Sequence, residues 1–181
     1  MGSTHTIKYK DLLALMESLE NGMREYYEGL AERFTQRGLQ RLWIMMAQQE
    51  ETHVRLVRLM RKRSAEDEEL QNSDMQVSAQ SIQTIEDFLE EYPKVLERGD
   101  LSLKKGFELA LTLESLELTP IYSPFIARQD KPTQDVLQEL LDSEDMHLSI
   151  LVKSVKRHIS DKSFQQYADE ILAEHSEHSS A

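Results

Sequence analysis

The sequence contains no cysteine among its 181 residues. Without thiols, the chain cannot form disulfides, zinc–thiolate sites or iron–thiolate centres, and it cannot use a cysteine nucleophile. Any metal ion that it binds must therefore be held by nitrogen and oxygen atoms.

Basic residues are scarce relative to acidic ones. The 21 lysines and arginines stand against 33 aspartates and glutamates, which gives a formal net charge of -12. Nucleic-acid binding needs a basic face, so we expect no nucleic-acid partner. An acidic chain of this kind is more compatible with bound cations.

Long apolar runs are also missing. No stretch approaches the ~20 apolar residues of a membrane span. The N-terminal MGSTHTIKYKDLL lacks the basic and then apolar layout of a signal peptide. We therefore expect a cytoplasmic protein with no membrane partner.

Proline and glycine number only 4 and 6, and apolar residues recur at intervals of three and four positions. This period predicts an all-α protein, and no convincing alternation of period two predicts a strand. With 39% hydrophobic residues, the chain is long enough for one domain with a real core.

Periodicity, turn residues and caps predict the helices. Long helices are expected at residues 6–35, 39–63, 100–126 and 131–158, a short one interrupted at Pro93 near 84–99, and a C-terminal one at 162–173. The polar segment 64–81 is expected to be a crossover. Two antiparallel hairpins joined by a long crossover describe a four-helix bundle over residues 1–160, and residues 161–181 add a helix and a disordered tail to the same domain.

Two short motifs stand out within the expected helices. QEETH contains Glu50 and His53, and SEDMH contains Glu144 and His147. Residues three apart share one helix face, so each pair can direct a carboxylate and an imidazole to a common point. Taken singly, each motif is weak evidence for a metal site, because a solvated helix face that carries an incidental histidine explains it more simply.

The spacing to two further glutamates links the motifs. Glu20 precedes Glu50 by 30 residues, and Glu114 precedes Glu144 by 30 residues. In an antiparallel hairpin, residues at one height are symmetric about the turn, so the turns should fall near positions 35 and 129. Turn residues occur at both positions, and we expect each first-helix glutamate to face its second-helix motif.

A glutamate from each of two helices and Glu-x-x-His from each of the other two form the ligand set of ferritin-like carboxylate proteins. Buried carboxylates without countercharge are costly, and two divalent ions would neutralise four of them. Carboxylate and imidazole ligands without sulfur favour iron or manganese, or a mixed pair. The expected metal ligands are Glu20, Glu50, His53, Glu114, Glu144 and His147. The alternative is a bundle that holds acidic residues without metal.

These residues resemble the diiron domain of rubrerythrins within the ferritin-like superfamily, from about residue 9 to 158. Glu20 followed by Tyr27 matches the first-helix pattern, and Glu114 followed by Tyr122 matches the third-helix pattern. The resemblance implies that both tyrosines hydrogen-bond to ligand carboxylates; otherwise they are core residues. It also implies that Glu117 is an additional carboxylate that exchanges with a histidine on iron when the oxidation state changes; otherwise Glu117 is an exposed helical residue.

The function implied is a non-haem diiron enzyme that reduces hydrogen peroxide to water. Glu50 and Glu144 would bridge two iron ions. Rubrerythrins append a cysteine-rich electron-delivery module, so this chain would need an external electron-donor protein, and we expect a homodimer. The alternatives are ferroxidase chemistry with dioxygen and iron storage, hydroxylation of an organic substrate, and a non-enzymatic iron-binding module.

Overall fold

The computed structural model describes residues 3–99, 101–116, 126–127 and 131–178, without the side chains of residues 132–133, 136–145 and 176–178. The described residues form two compact units. The first unit holds residues 3–99 with 126–127, and the second holds 101–116 with 131–178. The grouping of residues 1–160 and 161–181 into one domain stays a prediction.

The first unit is built on an antiparallel helical hairpin. Its elements, in order, are β1 (Thr4–Lys8), α1 (Tyr9–Arg33), α2 (Arg37–Ser64), α3 (Glu68–Gln71), β2 (Asp74–Ser78) and α4 (Ala79–Glu97). A three-residue turn joins α1 to α2, at the position where the sequence predicts it. The hairpin buries the apolar stripe expected of two amphipathic helices, with residues such as Leu13, Met16 and Met46 fully enclosed.

A two-stranded antiparallel ribbon corrects the prediction that the chain has no strands. β1 pairs with β2 so that Ile7 lies opposite Met75. Because β1 occupies the first residues, α1 begins at Tyr9 rather than near residue 6, and the Tyr9 N–H donates to the carbonyl of Ser73. Five-residue strands are too short for their alternation to be distinguished from a polar loop.

The crossover helix α4 is longer and more regular than predicted. Ser78 caps it by accepting from the Ser81 N–H, so that it begins at Ala79 instead of near residue 84. It also continues through Pro93, which the sequence suggested would interrupt it. Pro93 is exposed, so its ring lies on the solvent side of α4.

α4 packs closely against α1 through two glycines. A Cβ atom on Gly22 would lie 3.0 Å from a methyl of Leu89, and one on Gly29 would lie 2.6 Å from a methyl of Leu96. A side chain at Gly29 would displace Leu96, and one at Gly22 would press on Leu89, so both glycines help α4 to pack closely against α1.

The second unit contains α5 (Leu103–Glu114), α6 (Lys131–His158) and α7 (Lys162–His178). α5 and α6 are antiparallel, since Glu114 at the end of α5 contacts His147 while Lys104 at its start pairs with Asp161, just beyond α6. Asp161 also caps α7 as predicted, by accepting from the N–H groups of Ser163 and Phe164.

Three helix boundaries in the second unit differ from the sequence prediction. α5 begins after Ser102, which accepts from the Lys105 N–H, and it ends at Glu114 instead of near residue 126. The Ser115 N–H donates to the carbonyls of Leu111 and Leu113, which tightens and closes the last turn. α7 continues to His178, so the helical part of the C-terminus is longer than the predicted 162–173.

The all-α class is confirmed, because helices dominate both units apart from the short ribbon, and this content is consistent with a helical bundle. Within the parts of the chain that the structure describes, no helix combines the length and apolar character needed to cross a membrane.

Candidate metal centre

The first unit brings three predicted ligands together in its core. Glu20 projects from α1, and Glu50 and His53 project from α2; their exposed fractions are 1%, 1% and 5%. The Nδ1 atom of His53 lies 3.3 Å from Oε2 of Glu50 and 3.6 Å from Oε2 of Glu20. Two carboxylates and one imidazole nitrogen therefore converge on one buried point.

This geometry follows from the local sequence. Glu50 and His53 are three residues apart on one helix and so share a face. The turn between Arg33 and Arg37 places position 20 of α1 opposite position 50 of α2, as the 30-residue spacing predicts.

The electrostatics of this half-site are unusual for a protein core. Burial alone would lower the pKa of His53, but the carboxylates of Glu20 and Glu50 outweigh it and raise the pKa to about 12. Without a metal ion, the imidazole therefore keeps its proton and offsets one of the two carboxylate charges. A divalent cation that replaced this proton would neutralise both carboxylates.

The second unit holds a related pair. Glu114 at the end of α5 and His147 on α6 are buried, with exposed fractions of 7% and 0%. Nδ1 of His147 lies 3.2 Å from Oε2 of Glu114. The pairing of a first-helix glutamate with a second-helix histidine is thus present in both units.

Three predicted site residues lie wholly or partly outside the residues that the structure describes. Glu144 lies in α6 as expected, but its side chain is outside the described part, and Glu117 and Tyr122 fall in residues outside it altogether. The roles of these three residues stay predictions.

Tyr27 is fully buried and stacks on Trp43, with ring centroids 5.8 Å apart and planes inclined by 11°. Its predicted hydrogen bond to a ligand carboxylate stays a prediction. Tyr26, which the sequence pattern did not single out, is also fully buried and meets Phe88 of α4 edge-on. The glycines at positions 22 and 29 could have indicated it, since they mark a second face of α1 that another helix covers.

The donor atoms suit a metal ion. Glu50 and His53 in the first unit and His147 in the second are buried, and each offers one ligand atom. Carboxylate oxygen with imidazole nitrogen is a donor set that first-row divalent metals accept. A buried cluster of glutamate and histidine such as that of the first unit could hold a metal ion.

The fold and these clusters define an all-helical protein whose hairpins bury carboxylate and imidazole groups. The chain belongs to the family described as Uncharacterized protein domain (DUF2202), whose model matches residues 9–177. No curated protein and no solved structure matches the chain.

Proposed function

We propose that the two half-sites together bind two iron ions and that the protein is a rubrerythrin-like oxidoreductase that reduces hydrogen peroxide to water. The observation that carries the proposal is the repeated arrangement of buried groups. In each unit the Nδ1 atom of a second-helix histidine lies near an oxygen of a first-helix glutamate, 3.6 Å from Glu20 in the first unit and 3.2 Å from Glu114 in the second.

Each ligand has a distinct role in this proposal. His53 and His147 would each hold one ion through Nδ1, the atom that faces the carboxylates in both units. Glu50 and Glu144 would be the carboxylates shared by the two ions, and Glu20 and Glu114 would each hold one ion. Glu117 would be the carboxylate that exchanges with a histidine.

The reaction consumes two electrons and two protons for each peroxide and forms two water molecules. A reduced iron pair supplies the two electrons when it is bound. The protein's part is to bury the ligands away from bulk water and to hold the carboxylates in place, so that the charge of the metal pair is balanced. An external one-electron donor restores the reduced state.

The test starts from protein loaded with ferrous iron under anaerobic conditions. After peroxide is added, the absorption of oxo-bridged ferric iron should appear with one peroxide consumed for each pair of ferrous ions. The same sample with dioxygen should oxidise much more slowly. Equal or faster oxidation by dioxygen would reject the peroxidase proposal and favour ferroxidase chemistry.

A further inference from the structure

Five aromatic side chains form a continuous column through the first unit. Their successive ring centroids are 5.8, 6.0, 5.9 and 5.0 Å apart, in the order Trp43, Tyr27, Tyr26, Phe88, Tyr92. The first four rings are buried, whereas Tyr92 is only half-buried. The aromatic column therefore leads from the core of the hairpin to the surface.

The buried end of the aromatic column lies on the same two helices as the ligand cluster, a short distance along each helix. Tyr27 follows Glu20 by seven residues on α1, and Trp43 precedes Glu50 by seven residues on α2. Seven residues are two helical turns, so each ring is on nearly the same helix face as its ligand and roughly 10 Å from it along the axis.

The outer end carries a proton acceptor. The hydroxyl of Tyr92 donates a hydrogen bond of 2.8 Å to Oε2 of Glu25, whose side chain is 51% exposed. Partial burial and the Glu25 carboxylate raise the pKa of Tyr92 to about 12. Tyr92 therefore stays protonated at neutral pH, and its oxidation requires that the proton move to Glu25.

We propose that the aromatic column carries oxidising equivalents from the metal centre to Tyr92 at the surface, with Glu25 as the acceptor of the Tyr92 proton. This proposal rests on the proposed peroxide chemistry. It applies when peroxide meets a metal pair that can supply only one of the two electrons required.

The electrons and protons balance as follows. Reduction of one peroxide to two water molecules takes two electrons and two protons from solvent; a bound metal pair would supply one electron, and Tyr92 supplies the other through the buried rings. The phenolic O–H bond of Tyr92 breaks, its proton passes to the carboxylate of Glu25, and a neutral tyrosyl radical remains. An external one-electron reductant then reduces the radical, and Glu25 returns the proton.

Phe88 is much harder to oxidise than its neighbours, so it does not itself hold the radical. Its ring lies between Tyr26 and Tyr92, at 5.9 and 5.0 Å from their centroids. It therefore serves as a bridge that couples the two tyrosines electronically.

The column can be tested without metal, because Trp43 is the chain's only tryptophan. A laser flash in the presence of an electron scavenger oxidises Trp43, and transient absorption distinguishes its radical from a tyrosyl radical. In the wild type, the tryptophan radical should decay as a tyrosyl radical appears. Tyr27→Phe should slow this transfer several-fold.

Two experiments test the surface end of the aromatic column. One quenches the tyrosyl radical with a reductant in solution, and the other removes the proton acceptor of Tyr92. With ascorbate as the reductant, Tyr92→Phe should lengthen the lifetime of the tyrosyl radical several-fold. Glu25→Gln keeps a hydrogen-bond acceptor but removes the base, so it should slow the oxidation of Tyr92, and a merely structural role predicts no change. Tyr167→Phe is the matched control, since Tyr167 is an exposed tyrosine on α7.

One outcome is that the radicals form and decay at the same rates in all three variants, Tyr27→Phe, Tyr92→Phe and Glu25→Gln, as in Tyr167→Phe. In that case the aromatic column does not transfer electrons and the proposal is overturned. Because this flash experiment uses metal-free protein, that result would leave the peroxide chemistry untouched. Failure to bind iron would instead remove the proposed function, and it is measured separately.

Discussion

At the scale of the residue, His53 is the group whose chemistry is most constrained by its surroundings. Its Nδ1 atom lies within 3.6 Å of oxygens of both Glu20 and Glu50, and all three side chains are buried. A proton on the imidazole and a metal ion on Nδ1 are therefore alternatives that compete for the same position.

This competition predicts proton release on metal binding. The native pKa of His53 is raised from 6.5 to about 12, so the metal-free protein carries the proton at neutral pH, and a metal ion must displace it. Metal binding should therefore weaken as pH falls. Calorimetric titration in two buffers of different ionisation enthalpy measures the release; equal heats in both buffers would contradict it.

The same shift predicts the pH dependence of the metal-free protein's stability. Because the native pKa lies above the unfolded value, the contribution of His53 is fully present below about pH 6.5 and is lost as pH rises toward about 12. Bound metal reverses this dependence, since metal binding requires the neutral imidazole.

The residues of the first half-site could be predicted because their geometry is periodic. The spacing of Glu50 and His53 follows from one helix, and that of Glu20 follows from one turn. Tyr92 could not be found in this way, because its hydrogen bond to Glu25 joins α4 to α1 across 67 positions of sequence, and no local period specifies such a contact.

At the scale of the element, the pairing of α1 with α2 depends on a charged link as well as on the apolar stripe. Glu17 of α1 accepts a hydrogen bond of 2.8 Å from Arg58 and bonds also to Arg61, both on α2. Arg58 and Arg61 hold the pKa of Glu17 below its usual value despite partial burial.

Replacing this carboxylate should loosen the hairpin in a pH-dependent manner. Glu17→Gln should lower the free energy of unfolding by about 1 kcal/mol at neutral pH. Because the native pKa is depressed, the stabilisation is present above the unfolded value of 4.5 and is lost as pH falls through the native pKa. Urea denaturation at neutral and acidic pH measures the difference.

The control for this prediction is Glu108→Gln, which removes a pair with Lys105 within the single helix α5. At neutral pH, Glu108→Gln should lower the free energy of unfolding by less than Glu17→Gln does, because no contact between helices is lost. Two results would show that the link between α1 and α2 is not stabilising. One is an equal loss of unfolding free energy in both variants, and the other is a loss in Glu17→Gln that persists below the native pKa of Glu17.

The elements that the sequence predicted best are the long amphipathic ones. α2 and α6 lie within two residues of their predicted bounds, because their apolar periodicity extends over many turns. The end of α5 was not predictable, since Leu116 continues the apolar pattern while the chain already turns at Ser115. Capping contacts, and not periodicity, decide that boundary.

At the scale of the whole molecule, the net charge of -12 and the buried glutamates Glu20, Glu50 and Glu114 favour the binding of cations. In the proposed function, each unit contributes half of the ligands. The central claim is that the two halves act as one dinuclear centre, and it predicts that the two units depend on each other for metal binding.

The most direct test is the number of metal ions bound per chain. Anaerobic dialysis against ferrous iron, followed by metal analysis, should give about two ions for the wild type. His53→Ala and His147→Ala, in opposite units, should each lower the loading below two, whereas His158→Ala, at the end of α6, should not. Far-UV circular dichroism confirms that the variants keep their helices. Wild-type loading of about one ion per chain or fewer, or unchanged loading in both ligand variants, would contradict a dinuclear centre.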